Sequence, residues 1–73
     1  MDITKGLNVA MVLHGIKKKD VATALNVAQN QFQNTLKRND YKVLQLVQIA
    51  DIIGYDVKIQ LVDRESGKVI DIE

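Results

Sequence analysis

The sequence predicts a mainly α fold closed by a C-terminal β-hairpin. Three observations carry the prediction. Apolar residues recur at spacings of three and four as far as Ile53, the period switches to two from Tyr55, and Gly or Asn stands at each change of direction. Seventy-three residues make a single domain. A chain this short buries a modest share of its surface, and small scaffolds usually add a disulfide, a metal or a partner subunit. With no cysteine and one histidine, neither a disulfide nor a protein-built metal centre is available. Helix packing and self-association remain as supports.

The first helix is expected over about residues 3–14. Ile3, Leu7, Ala10, Met11 and His14 form its inward stripe, with Asp2 as cap and Gly15 as a left-handed stop. The second runs over about 18–25, with Val21, Ala22 and Leu25 inward, and Asn26 turns the chain through the left-handed region that Asn tolerates. The third follows at once, over about 29–37, with Phe32 and Leu36 at i and i+4. Asn39-Asp40 break the pattern. The fourth covers about 44–53, turning Leu46, Ile49, Ala50 and Ile53 inward, and ends at Gly54.

Beyond Gly54, Tyr55, Val57, Ile59 and Leu61 alternate with Asp56, Lys58 and Gln60, which marks a strand over about 55–63. Arg64-Glu65-Ser66-Gly67 reads as a four-residue hairpin loop, with Gly67 supplying a positive φ, before a returning strand over about 68–72. This register sets Leu61 against Ile70 and Ile59 against Ile72 on one face. On the other it sets Gln60 against Asp71 and Lys58 against Glu73.

The net charge of +1 conceals an asymmetry. Residues 1–43 hold seven basic side chains against three acids, a balance of +4, whereas residues 44–73 hold three against six, a balance of −3. Between Val21 and Asn39 there is no acid at all. Such a chain presents one face to an anion and keeps the other away from it.

The stretch from Lys18 to Leu36 carries the functional expectation. Two short helices joined by Leu25-Asn26-Val27-Ala28 must cross steeply, with the small Ala22 admitting close approach, which is helix-turn-helix patterning. Gln29, Asn30, Gln33 and Asn34 share the outer side of the second helix of the pair. Asn and Gln bond two atoms of one base edge, most characteristically adenine N6 and N7. Lys37 and Arg38 follow within reach of phosphates, and Lys17, Lys18 and Lys19 start the preceding helix, which in this motif crosses the backbone. A face selected only for solubility would normally include Glu, a better helix former than Asn.

Residues 20–32, Asp-Val-Ala-Thr-Ala-Leu-Asn-Val-Ala-Gln-Asn-Gln-Phe, resemble the Cro and phage-repressor (XRE-type) helix-turn-helix family. Val21-Ala22 stands for that family's Leu-Ala pair, Leu25 for its Leu, Val27 for its Val, Gln29 for the first reading-helix residue and Phe32 for the apolar anchor. The run from Leu46 to Tyr55 resembles the helix that closes these domains, so the likeness spans about residues 3–55. It departs from the pattern at Asn26 (usually Gly), Ala28 (usually Ser or Thr) and Lys18 (frequently Gln). The resemblance implies a four-helix, lambda-repressor-like domain and a phage or prokaryotic transcriptional regulator, most often a repressor. It gives base-reading roles to Gln29, Asn30, Gln33 and Asn34, and phosphate roles to Lys18, Lys37 and Arg38. It also implies a homodimer on a palindromic double-stranded operator.

Energetics point to the same dimer, because each good base contact contributes only about 1–3 kcal/mol. The hairpin is the candidate interface, through Val57, Ile59, Leu61, Ile70 and Ile72, against the alternative that it packs on its own helices. No enzyme is expected: His14 has no carboxylate placed beside it by periodicity, and there is no glycine-rich phosphate loop. No cofactor, metal or small-molecule site is expected either. No stretch approaches the roughly twenty apolar residues of a membrane span, and Met1-Asp2 opens no signal-peptide pattern, so the expected compartment is the cytoplasm. The rival reading is a protein-interaction module on the same fold, an antirepressor or inhibitor that does not read DNA.

Overall fold

A computed structural model describes residues 1–72. Four helices precede a two-stranded antiparallel sheet: α1 (Ile3–Leu13), α2 (Lys18–Ala24), α3 (Gln29–Arg38), α4 (Val43–Ile53), β1 (Ile59–Val62) and β2 (Val69–Ile72). All four helices supply the core, through Leu7 and Met11, Val21 and Ala22, Phe32 and Leu36, and Ile49 and Ile53. Leu25, Val27 and Leu46 pack half-buried against it. The 3.6-residue stripes are therefore met almost residue for residue. Thr35 is buried as well, its hydroxyl bonded back to the Gln31 carbonyl at 3.2 Å.

The chain turns where a side chain tolerates the left-handed region. Asn26 has φ 59° and Asn39 φ 51°, while Gly15, Gly54 and Gly67 are also positive. The end of α2 is closed by Val27 N donating to the Ala22 carbonyl and Asn26 N to the Thr23 carbonyl, both at 3.0 Å, the pattern of a helix that stops at a left-handed residue. Asp2 caps α1 by accepting from Lys5 N at 2.9 Å.

Two expectations are corrected. His14 does not continue the buried stripe. It is exposed beyond the end of α1, where its Nδ1–H donates to the Ile53 carbonyl at 2.7 Å and its ring stacks on Tyr55 at 4.4 Å. A carbonyl only accepts, so the proton on Nδ1 is fixed by this contact. The imidazole thereby satisfies one of the orphan carbonyls at the end of α4. The first strand begins at Ile59 and not at Tyr55. Among the described residues its ladder starts opposite Ile72, and Tyr55 is taken up by the stack on His14. Smaller differences are one-residue shifts: α1 and α2 each stop one residue earlier, α3 reaches Arg38, α4 begins at Val43, and the strands are Ile59–Val62 and Val69–Ile72. Frayed ends account for shifts of this size.

The hairpin register is the one the alternation dictates: Ile59 opposite Ile72, Gln60 opposite Asp71, Leu61 opposite Ile70. Gln60 Nε2 donates to Asp71 at 2.8 Å. The pairing of Lys58 with Glu73 lies outside the described residues. Asp63 and Lys68 close the loop, and Asp63 Oδ1 accepts from Glu65 N at 2.8 Å and Ser66 N at 3.1 Å. These backbone donors hold the Asp63 carboxyl below its ordinary value.

The hairpin does not pack on the helices. No strand residue belongs to the core or to the half-buried shell around it. The molecule measures 44 × 23 × 19 Å with a radius of gyration of 13.9 Å, against about 11 Å for a compact chain of this length.

Candidate nucleic-acid interface

The outer face of α3 is built by the same periodicity that buries its inner face. Phe32 and Leu36 are 2% and 5% exposed. Gln29, Asn30, Gln33 and Asn34 are all exposed, as are Lys37 and Arg38. On a 3.6-residue helix these six form two i, i+4 rows, Gln29–Gln33–Lys37 and Asn30–Asn34–Arg38, within about half of the circumference. Each row of amides ends on a cation in the last turn, where the helix dipole favours positive charge.

Helix α3 starts at Gln29 despite having no side-chain cap. Ala28 is extended, with ψ 149°, and its carbonyl accepts from Phe32 N at 3.1 Å. Anchoring by Phe32 therefore fixes the first turn where a Ser or Thr would otherwise help. The uncapped end leaves backbone N–H groups of residues 29–31 to water or to an anion.

Tertiary packing adds two residues that sequence spacing did not single out. A shallow cleft of about 320 Å³ between α1, α2 and α3 is lined by Thr4, Asn8, Lys18, Gln33, Leu36 and Lys37. It brings Lys18 and Lys37 to one cleft, together with Gln33 of the first amide row. Asn8 Oδ1 is buried there without a hydrogen-bond partner. That oxygen is an acceptor, suited to a lysine ammonium or water, so toward an anion Asn8 would act through its Nδ2 donor. Lys17 lies with Lys18 at a second, mostly apolar depression beside Met11, Val12 and Ile16. Lys19 and Arg38 border neither and are simply exposed.

The C-terminal end of α3 is held by a polar clamp more than thirty residues apart in sequence. Thr4 Oγ1 donates to the Leu36 carbonyl at 2.6 Å and lies 2.7 Å from the Tyr41 hydroxyl. The threonine has one proton, already given to Leu36, so the tyrosine is the donor to it. Asn39 Oδ1 accepts from Thr4 N at 2.9 Å, and its Nδ2 donates to the Met1 carbonyl at 2.8 Å. The clamp fixes α3 against the start of α1 and so positions the cleft. The only sequence trace of it is Asn39, which looks like a helix stop and nothing more.

Of the five hairpin residues singled out by alternation, Val57 and Ile59 are half-buried, while Leu61, Ile70 and Ile72 are exposed. No described helix is long and apolar enough to cross a membrane. Protein-family models, curated proteins and solved structures yield no match to this chain, so the case for the interface rests on its own geometry and chemistry.

Proposed function

We propose that this chain is a sequence-specific double-stranded DNA-binding transcriptional regulator of the Cro and phage-repressor type, acting as a repressor in the cytoplasm. It reads the major groove with α3 and binds a palindromic operator as a homodimer. The observation that carries the reading is the pair of amide rows on α3, free of carboxylates, each running into a cation. Gln29, Asn30, Gln33 and Asn34 take the base edges. Lys18 and Lys37, with Asn8 between the helices, take a backbone phosphate, and Lys17, Lys19 and Arg38 add to the basic border.

Duplexes selected from a random pool supply the operator, and titration at several salt concentrations then separates the roles. Gln29→Ala and Asn34→Ala should each cost about 1–3 kcal/mol on the selected duplex and little on random DNA. Lys18→Ala and Arg38→Ala should weaken both duplexes about equally and reduce the salt slope by about 1. If all four variants bound every duplex like the parent, α3 would not be the reading helix. A chain that docks only on another protein would select no duplex at all.

A further inference from the structure

We infer that Asn8 is the positioning residue of Lys18: its buried Oδ1 accepts one N–H of the Lys18 ammonium and holds that cation at the cleft, where it meets a backbone phosphate. The inference rests on the DNA-binding reading above and assigns the working order within its phosphate site.

Asn8 Oδ1 is buried without a hydrogen-bond partner, the one side-chain atom in that state among the described residues. A buried acceptor left unpaired carries its full desolvation cost, so a donor within reach is drawn to it. The phosphate itself cannot serve, because a phosphodiester is an anion that offers only acceptors. Thr4 is already committed, its hydroxyl to the Leu36 carbonyl and its N–H to Asn39. Lys18, Gln33 and Lys37 remain on the cleft wall.

Placement selects among these three. Lys18 alone also lines the neighbouring depression of Met11, Val12 and Ile16, which Asn8 borders as well. Asn8 and Lys18 are thus the two residues common to both hollows, on the seam between α1 and α2. Asn8, Met11 and Val12 stand at i, i+3 and i+4, so one face of α1 meets the start of α2. The apolar depression suits a lysine stem, which packs along such surface while its head reaches a polar group. A charge-assisted bond is also about twice as strong as a neutral one, which favours Lys18 over Gln33. An ammonium has three donors, so one on Oδ1 leaves two for phosphate oxygens. Held in this way, Lys18 reaches the phosphate with much of its rotamer freedom already spent.

Titration of the full chain with a random duplex at several salt concentrations tests this. Lys18→Ala should lower the salt slope by about 0.9 through the lost charge. Asn8→Leu removes no charge, yet it should lower the slope by up to about the same amount and weaken binding by about three- to tenfold, because the freed ammonium no longer stays on its phosphate. In a Lys18→Ala background, Asn8→Leu should leave the slope unchanged. Combined with Lys37→Ala, its loss should instead multiply with that of the lysine. Asn8→Ala repeats each arm should circular dichroism show that the leucine variant unfolds. Weaker binding at an unchanged slope would mean that Asn8 meets the phosphate through Nδ2 alone, and would overturn the assignment while leaving DNA binding intact. Equal coupling to Lys18 and Lys37, or parent-like binding by the Asn8 variants, would overturn it in the same way. A parent that binds no duplex would overturn both.

Discussion

Replacing Asn39 by alanine removes three things at once, and the structure sets the size of each. The residue sits at φ 51°, where alanine is worse than asparagine by about 1 kcal/mol. Its Oδ1 accepts the part-buried Thr4 N–H, whose loss costs about 1–2 kcal/mol because the donor is left without a partner. The bond from Nδ2 to the Met1 carbonyl is exposed and adds little, since water replaces it. The sum, about 2–3 kcal/mol, is a large part of the roughly 4–11 kcal/mol available to a domain of this length. Urea unfolding should report it, and the melting point should fall by roughly 10–20 °C. Asn39→Gly separates the causes, because glycine accepts the positive φ and loses only the side-chain bonds, so it should be milder by about 1 kcal/mol. If Asn39→Ala changed stability by less than about 0.5 kcal/mol, or if glycine were the worse replacement, the clamp on α3 would not work as described.

Three further outcomes follow from the same structure. Gly54→Ala places a Cβ at 3.1 Å from His14 Nδ1 in a backbone with φ +101°, so it should cost about 2–3 kcal/mol from strain and the displaced imidazole. In a His14→Ala background the cost should shrink, and a fully additive double-mutant cycle would refute the link between cap and glycine. Phe32→Ala empties the anchor of α3 in the core and should destabilise by about 3–5 kcal/mol in urea, while a loss under about 1 kcal/mol would mean that α3 is not held by that ring. For Asp63, the folded-state value is depressed by backbone donors, so its contribution to the hairpin loop is present above the ordinary aspartate range and is lost as pH falls through the depressed value. The amide signals of Glu65 and Ser66 should titrate with a midpoint below that of an ordinary aspartate, and a midpoint at or above it would contradict the loop bonds.

Much of the candidate interface was legible because helical faces are written locally. Phe32 and Leu36 four apart place Gln29, Asn30, Gln33 and Asn34 outward whatever else the chain does, and the structure keeps all four exposed. The lack of a cap at Ala28 did not shorten α3, since burial of Phe32 outweighs a cap of about 1 kcal/mol. Asn8 and Thr4 were not legible. Their part in the cleft depends on where α1 lies against α3, and neither breaks the apolar period of its own helix.

By itself, the sequence determined four helices with their buried stripes, the left-handed turns at Asn26 and Gly67, and a hairpin register in which Leu61 meets Ile70. These follow from spacings of two to four residues and from which side chains accept a positive φ. Only the tertiary structure decided that His14 caps α4 in place of lining the core, that Thr4, Tyr41 and Asn39 pin the end of α3, and that the hairpin stands clear of the helices. The bonds among these residues join positions more than thirty apart, and the hairpin's placement depends on how whole elements pack, and no local period records either.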